Sequence, residues 1–438
     1  MSGWMKIFVL TIVLIGFGLI PSCKKEDIRV FNLVSIVANG LDLKASPGKV
    51  AVSTVITATF TADIDPGSLT FSGVIMTRDY DTANVVLTLI VSKRILSIRS
   101  STDLIAGASY TLTINSTLRS SNGLAFQSFT GTFRTIGTFV PPGQKAYWSF
   151  EGTPDDVIGN YDPPTTDDVI LNDYVDSRNA ESGKAASFDG KTSIIQIPGG
   201  SSLLGPEFTI TFWMFLISDN HQDASGNQKG SYVFGIGDGH GLQFDVHPNY
   251  DWCRISHGLL LSDGTTTTSD FQFYANGRKW NNLQNEPDSI IKKGIDNYTT
   301  VNQDFGAAGL KSKLDKKWAQ VAFSFDDSTK TRSLFINGEL MYRQKLSLPD
   351  TTVVLASLRP LVKATSLKFV SDTNIPQTYD DKLAFGFRQS KDATFGGISA
   401  HYGNPDANHF QGWLDDVRIF SRSLTDLEIS LIYQGEKP

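Results

Sequence analysis

The sequence has 438 residues, of which 39 are Lys or Arg and 45 are Asp or Glu, so its formal net charge is -6. A protein that binds nucleic acid needs a basic face, and this charge balance argues against that class. The length favours two or three domains, and a 40% share of hydrophobic residues is enough to fill their cores.

The chain starts with an apolar run of 14 residues at positions 7–20. A membrane-spanning helix needs about 20 apolar residues, so we interpret residues 1–22 as a signal peptide and exclude them from the fold. The sequence IPSC, which ends at Cys23, resembles the lipobox of bacterial lipoproteins, and the following KKED resembles the start of surface lipoproteins of Bacteroidetes. The resemblance implies a lipid on Cys23 and a surface-exposed place on the bacterial outer membrane. An ordinary signal peptide is the alternative. Cys253 then has no partner for an internal disulfide.

Residues 30–136 contain short segments of alternating β-branched residues that are separated by turn residues. Examples are VITATF at 55–60, VVLTLI at 85–90 and SYTLTIN at 109–115. This alternation predicts strands, and their number predicts a β-sandwich of about 100 residues. The order of the segments resembles the bacterial Ig-like domain of S-layer and surface proteins. That resemblance implies a spacer without chemistry of its own.

A Pro-Pro-Gly segment at residues 137–145 predicts a stiff linker that is poor in hydrogen-bond donors. The remaining residues 146–438 again alternate as strands. Their order, with YWSFEG, AASFDGKTSIIQIP, FTITFWMF, WAQVAFSFD, LFINGEL and GWLDDVRIFSRSLTDLEISLIY, resembles a LamG-type, concanavalin A-like jelly roll. Insertions at 262–317 and 348–381 are longer than the loops such a sandwich needs.

Two local signals add detail to this predicted jelly roll. The Asn-Gly pair at residues 337–338 predicts a type I′ hairpin. Thr425 and Glu428 form a capping-box pattern, and Gly435 stands where the residue after a helix is expected. The sequence therefore predicts an all-β protein, an Ig-like sandwich followed by a larger jelly roll with one short C-terminal helix.

The concanavalin-like fold is shared by lectins and glycanases, so its function must be argued from sites. Retaining glycanases place two carboxyl groups about 5 Å apart, and the enzymes of this fold would carry E-x-D-x-x-E. The nearest run starts at Glu286, lies in the first insertion and has Ile291 in place of the second glutamate. We therefore expect a protein that is not an enzyme. A glycan hydrolase with an unusual site that uses Asp245 or Glu286 is an alternative.

The adjacent carboxylates of WLDDVRIFS are candidates for catalysis, metal binding or a structural role. Side chains alternate along a regular strand, so Asp415 is expected to share one face with Val417 and Ile419. Asp416 is then expected on the other face, in a surface ion pair with Arg418. Neighbours that point apart do not form a catalytic dyad, and a carboxylate among apolar residues must be paired or bound. We expect Asp415 to tie the strand to nearby backbone.

A structural calcium ion is the alternative for Asp415, because jelly rolls similar to this one hold calcium near that position. Calcium takes about six to eight oxygen ligands. Asp189 in SFDG and Glu151 after the first strand of the domain are the further candidates for this site. No other cofactor is expected.

The candidate ligand site is the segment GLQFDVH, in which Leu242, Phe244 and Val246 alternate with polar residues. The polar row is Gln243, Asp245 and His247. Rows of hydrogen-bonding groups beside aromatic rings bind sugars, and the first insertion supplies Tyr274 and Trp280 among its rings. A solvated outer face is the alternative for the row, and a small core within the insertion is the alternative for the rings.

Together these patterns predict a lipid-anchored surface protein whose jelly roll binds an extracellular glycan without catalysis. Its partners are then the membrane, through the lipid, and an extracellular glycan or a surface protein. The main alternative is an adhesive or structural protein whose jelly roll makes only protein contacts. The sequence does not distinguish one glycan from another.

Overall fold

The computed structural model describes residues 30–438 except 71, 238–240, 251, 262–263, 265, 275–297, 301–308, 346–363, 368–380 and 394–399. Cys23, Trp280, Glu286 and most of both predicted insertions lie outside the described residues. The described part consists mainly of β-strands with two short α-helices, α1 (Lys311–Leu314) and α2 (Asp426–Glu436). The predicted all-β class is confirmed. Neither of these helices is long and apolar enough to cross a bilayer.

The first domain is a sandwich of two antiparallel sheets. Its strands are β1 (Leu33–Ala38), β2 (Leu41–Asp42), β3 (Val55–Phe60), β4 (Val74–Arg78), β5 (Leu87–Ser92), β6 (Ile95–Ser100), β7 (Ser109–Ile114) and β8 (Phe129–Arg134). The strand orders are β2-β1-β3-β6-β5 and β4-β7-β8. Alternate residues fill the core, among them Ile56 and Ala58 of β3 and Tyr110 and Leu112 of β7. This is the alternation that predicted the sandwich.

The second domain is a larger sandwich. Its first strands are β9 (Gln144–Trp148), β10 (Val169–Ile170), β11 (Asp173–Asp176), β12 (Lys184–Asp189), β13 (Ile194–Pro198), β14 (Glu207–Leu216), β15 (Ser231–Ile236), β16 (Leu242–Val246) and β17 (Trp252–Leu261). The later strands are β18 (Thr266–Tyr274), β19 (Tyr298–Thr300), β20 (Trp318–Asp326), β21 (Thr331–Ile336), β22 (Glu339–Lys345), β23 (Ala364–Leu367), β24 (Lys382–Phe385) and β25 (Gln411–Phe420).

These strands form two sheets that face each other across the main core. One has the order β10-β13-β24-β15-β16-β17-β18 with β23 beside β17, and the other has the order β11-β12-β25-β14-β20-β21-β22-β19 with β9 beside β25. Phe212 of β14 meets Phe234 and Phe244 of the opposite sheet edge to face, with ring centroids 5.4 and 5.3 Å away. Leu242 and Val246 belong to the same core.

Strand β25 departs from regular alternation at Asp416. It has one residue more than β14 over the same stretch, and Asp416 has a φ of 47°. Such a β-bulge shifts the alternation by one residue. Val417 and Ile419 therefore belong to the core, whereas Asp415 and Asp416 both lie on the outer side of the sheet. The prediction that Asp415 shares a face with Val417 and Ile419 is wrong for this reason.

Helix α2 joins the two domains. Its residues Leu431 and Ile432 belong to the same buried cluster as the core of the first domain. Arg134 of β8 donates a hydrogen bond to the carbonyl oxygen of Leu431 at 3.4 Å. Phe139, inside the predicted linker, is 1% exposed and packs in that cluster as well. Residues 137–145 are therefore part of a packed interface, and they do not form a free connection.

The predicted hairpin and helix cap are confirmed, with one change at the helix end. Residues 337–338 both have positive φ and close the hairpin of β21 and β22. Glu428 N–H donates to Thr425 Oγ1 at 3.2 Å, and Thr425 N–H donates to Glu428 Oε2 at 2.9 Å. Gly435 lies inside α2 and does not end it, because the helix continues to Glu436, whose carboxylate pairs with Arg418 at 2.7 Å.

Candidate functional site

The predicted ligand row lies on β16, a strand inside its sheet. Gln243 and Asp245 are only 5% and 4% exposed. Arg254 of β17 donates to Asp245 Oδ1 at 2.7 Å. His247 is partly exposed, and its ring stacks on Trp252 with centroids 4.4 Å apart. The expectation of an open recognition row is therefore corrected for Gln243 and Asp245, and the alternative of a solvated face is wrong for them too.

Gln243 and Asp245 are buried because the chain that follows β24 covers the outer face of this sheet. A Cβ added to Gly235 of β15 would lie 1.8 Å from the carbonyl oxygen of Arg388. Phe387 packs edge to face on Tyr232 with centroids 5.7 Å apart. The side chain of Tyr274, which ends β18, lies outside the described residues.

The adjacent aspartates of β25 converge on one arginine. Strand β12 pairs with the first half of β25 and β9 with the second half, and the two aspartates lie between these halves. Arg178, which follows β11, places Nη1 2.7 Å from Asp415 Oδ2 and contacts Asp416 Oδ2 with Nη2. Its guanidinium lies 4.6 Å from the centroid of the Trp213 ring. The side chains of Arg178 and Asp415 are each 1% exposed.

A third carboxyl group and a second arginine extend this cluster, which we call the Arg178 network. Arg418 Nη1 lies 2.7 Å from Glu436 Oε1, and its Nη2 lies 3.1 Å from Asp416 Oδ1. Trp213 Nε1 donates to Glu436 Oε2 at 2.8 Å, and the Tyr147 hydroxyl donates to Asp416. Three carboxyl groups thus share two guanidinium groups, so the network is electrically balanced when it holds one proton.

The electrostatics agree with one retained proton. Burial and the Asp416 carboxylate raise the pKa of Asp415, and burial raises the pKa of Glu436. The guanidinium groups of Arg418 and Arg178 outweigh burial and lower the pKa of Asp416. The predicted surface ion pair of Asp416 with Arg418 exists, but it is buried. The geometry supports a structural role for both aspartates, with Arg178 as the main partner of Asp415 in addition to the backbone.

The predicted calcium ligands are not brought together. Asp189 caps its own turn and accepts hydrogen bonds from the backbone of Thr192 and Ser193, which outweigh burial and lower its pKa. Glu151 accepts a hydrogen bond from Lys184 N–H at 3.0 Å, and Asp415 is held by Arg178. Among the described residues, no three His, Cys, Asp or Glu side chains are grouped so that they could hold a metal ion. The predicted set therefore does not fit a calcium site.

A pocket of 540 Å³, which we call the rim pocket, opens where three loops of the second domain meet. The loops are 190–192 between β12 and β13, 220–229 between β14 and β15, and 402–406 before β25. Lys229 ties them together, since its Nζ donates to the carbonyl oxygens of Gly190 at 3.2 Å and Pro405 at 2.9 Å. The Tyr402 hydroxyl donates to the carbonyl oxygen of Thr192 across the same opening.

His221 is the unusual group of the rim pocket. It lines the pocket and is 2% exposed, yet neither Nδ1 nor Nε2 has a hydrogen-bond partner of good geometry among the described residues. Burial lowers the pKa of His221 to about 4, and Lys229 acts in the same direction while the backbone of His409 opposes it. The ring is therefore neutral near pH 7 and offers one donor and one acceptor. A buried polar group without a partner costs about 1–3 kcal/mol.

Sequence reasoning did not find the rim pocket. His221 lies in the turn-rich stretch DNHQDASGNQKG, which is typical of a loop and carries no spacing that points to a ligand. The carbonyl partners of Lys229 are 39 and 176 residues away along the chain. Only the fold brings these groups together.

The chain is thus an all-β protein of two packed sandwiches, the second of which carries a pocket at its loop end. Residues 40–135 match the family model described as "Bacterial Ig-like domain". This identifies the first sandwich as a domain of that type. No curated protein matches the chain.

The solved structures that the chain resembles include binding domains of botulinum neurotoxins and a domain of an arabinanase. The botulinum neurotoxin serotype G binding domain is 14% identical, with 66% of this chain and 50% of that chain covered and a TM-score of 0.35. The serotype D ligand-binding domain in complex with N-acetylneuraminic acid is 14% identical, with 67% and 51% covered and a TM-score of 0.38. Domain 4 of AbnA, a GH43 extracellular arabinanase from Geobacillus stearothermophilus in complex with arabinotriose, is 17% identical, with 67% and 98% covered and a TM-score of 0.33.

The chain spans about half the length of the neurotoxin domains that it resembles. At these TM-scores the similarity does not assign a ligand to the chain, so its function must be argued from its own residues.

Proposed function

We propose that the second domain, which is similar to LamG-type jelly rolls, binds an extracellular glycan without catalysis and that the rim pocket is its binding site. The observation that carries the proposal is His221, which is buried at the wall of this pocket. Within the part of the chain that the structure describes, neither of its ring nitrogens has a hydrogen-bond partner of good geometry. Sugar hydroxyls both donate and accept hydrogen bonds, so they match a neutral imidazole. The Tyr402 ring adds an apolar surface in a concave site of the mixed kind that binds small ligands.

A non-catalytic role is supported by the state of the adjacent aspartates. A glycanase needs two carboxyl groups that reach the substrate, whereas the side chain of Asp415 is 1% exposed and that of Asp416 is held by Arg178. We further propose that a lipid on Cys23 holds the protein on the bacterial surface. Incorporation of labelled palmitate that is lost in Cys23→Ala tests this part, and equal labelling of the variant would contradict it.

A glycan array and calorimetry test the binding site. We expect the purified protein to bind a subset of glycans and His221→Leu to lose this binding while its melting temperature stays close to that of the wild type. His247→Ala is the matched control, because His247 follows β16, does not line the rim pocket and belongs to the row predicted from the sequence. Loss of binding in His247→Ala but not in His221→Leu would place the ligand there and contradict the rim pocket.

A further inference from the structure

We propose that the rim pocket selects sugars that carry a negative charge, either a carboxylate or a sulfate ester. This inference rests on the proposed function of the pocket. The inference comes from the four charged side chains that line the pocket, two lysines and two aspartates. The carboxylates and the ammonium groups differ in how many of their hydrogen-bonding positions are filled. The four residues are Lys191, Lys229, Asp223 and Asp406.

The two carboxylates are engaged by neighbouring backbone. Asp223 Oδ1 accepts hydrogen bonds from Ser225 N–H at 2.9 Å and from Asn227 N–H at 2.8 Å. Asp406 Oδ1 accepts a hydrogen bond from Ala224 N–H at 2.8 Å, which holds the 220–229 loop against the 402–406 loop. Both aspartates thus shape the pocket by fixing its loops.

The two ammonium groups have fewer hydrogen-bond and ion-pair partners. Lys229 is 4% exposed, and among the described residues the only hydrogen-bond partners of its Nζ are the carbonyl oxygens of Gly190 and Pro405. An ammonium has three donors, so one remains. Burial lowers the pKa of Lys229, while Asp406, Asp189 and Asp223 oppose this from a distance. None of the described carboxylates forms an ion pair with its ammonium group. A buried charge without a counter-charge in direct contact is costly, and an anionic ligand group that reached the remaining donor would relieve that cost.

Lys191 and His221 provide further groups that can bind an anion. Lys191 is exposed at the mouth of the pocket, where within the described residues it forms no ion pair. His221 is neutral and places a hydrogen-bond donor on the same pocket wall. A carboxylate or sulfate accepts several hydrogen bonds at once, so it can engage a buried ammonium, an imidazole N–H and a flexible lysine at the entrance.

Calorimetry with paired probes tests the inference and separates the two anions. One pair is oligogalacturonate and its methyl ester, and the other is a sulfated galactan oligosaccharide and its desulfated form. We expect the charged member of at least one pair to bind about tenfold tighter or more, and the difference to shrink at high salt. The pair that shows the preference identifies the anion.

The variants Lys229→Met and Lys191→Met should each reduce this preference. Lys191 is exposed, so its variant keeps the test valid even if Lys229→Met fails to fold. Lys316→Met is the matched control, because Lys316 pairs with Asp219 and does not line the pocket. Equal binding of charged and neutral probes would overturn the inference and leave the proposed function standing. Binding of no sugar on the array or in these titrations would remove both.

Discussion

The Arg178 network and the rim pocket both place charged groups inside the second domain, but they satisfy them differently. In the network, three carboxyl groups and two guanidinium groups share hydrogen bonds and an indole ring, so the charges are balanced with one proton. In the pocket, counting partners from the described residues alone, Lys229 Nζ contacts only carbonyl oxygens and the His221 ring has no hydrogen-bond partner of good geometry. Charged groups that are paired with each other stabilise the fold. Polar groups that have unused hydrogen-bonding positions beside an open cavity can bind a ligand.

Removal of the central arginine is expected to have the largest effect. In Arg178→Met the buried Asp415 and Asp416 lose their shared partner, and the free energy of unfolding should fall by about 3–5 kcal/mol. Urea unfolding followed by fluorescence measures this change. Arg94→Met is the control, because Arg94 forms an exposed pair with Asp63 at 3.5 Å and should leave the stability nearly unchanged. Similar losses in the two variants would show that the network does not hold the fold.

Substitution of one aspartate distinguishes the bulged strand from a regular one. Asp416→Ala removes contacts with Arg178, Arg418 and Tyr147, and we expect a loss of about 3 kcal/mol, similar to that of Asp415→Ala. A regular strand would leave Asp416 in an exposed pair and make its loss small. Melting curves of both variants decide between these cases, and a near-wild-type Asp416→Ala would contradict the bulge.

Acid should destabilise the second domain through two buried histidines, His221 of the rim pocket and His409. Burial lowers the pKa of both His221 and His409 to about 4, so the folded state holds them neutral while the unfolded chain protonates them below about pH 6.5. Their contribution is complete above that pH and is lost as the pH falls towards 4. The wild type should lose about 2 kcal/mol per histidine more than the double variant His221→Gln/His409→Gln between pH 7.5 and 4.5. Parallel pH profiles from urea unfolding would show that these rings are not buried neutral.

The smallest effect is expected at Gly190. It has a φ of 73°, and an added Cβ would lie 2.7 Å from Cβ of Gln411. Gly190→Ala should therefore cost about 1–2 kcal/mol and also displace the loop whose carbonyl oxygen holds Lys229. Gly226→Ala is the control, because it has a similar φ of 80° and nothing within 4 Å of an added Cβ. Calorimetric unfolding of the two variants separates crowding from backbone strain.

The strands and the helix cap were predictable because their signals are local. Alternation identified the Ig-like sandwich, and Thr425 with Glu428 marked the start of α2 within four residues of sequence. The bulge at Asp416 was not predictable, since one extra residue in β25 shows only against its partner β14. The partners of Lys229 lie on two other loops, and the arginine that joins the aspartates is 237 and 238 residues away from them. Such sites depend on the assembled fold.

The position of α2 also bears on how the protein is made. Its residues Leu431 and Ile432 complete the apolar cluster of the first domain, although the ribosome adds them about 300 residues after the last strand of that domain, which ends at Arg134. During synthesis the Ig-like sandwich therefore emerges with one apolar flank uncovered. This flank stays exposed until nearly all of the remaining chain has been made. A chaperone that shields this flank would protect the nascent polypeptide until its final helix arrives.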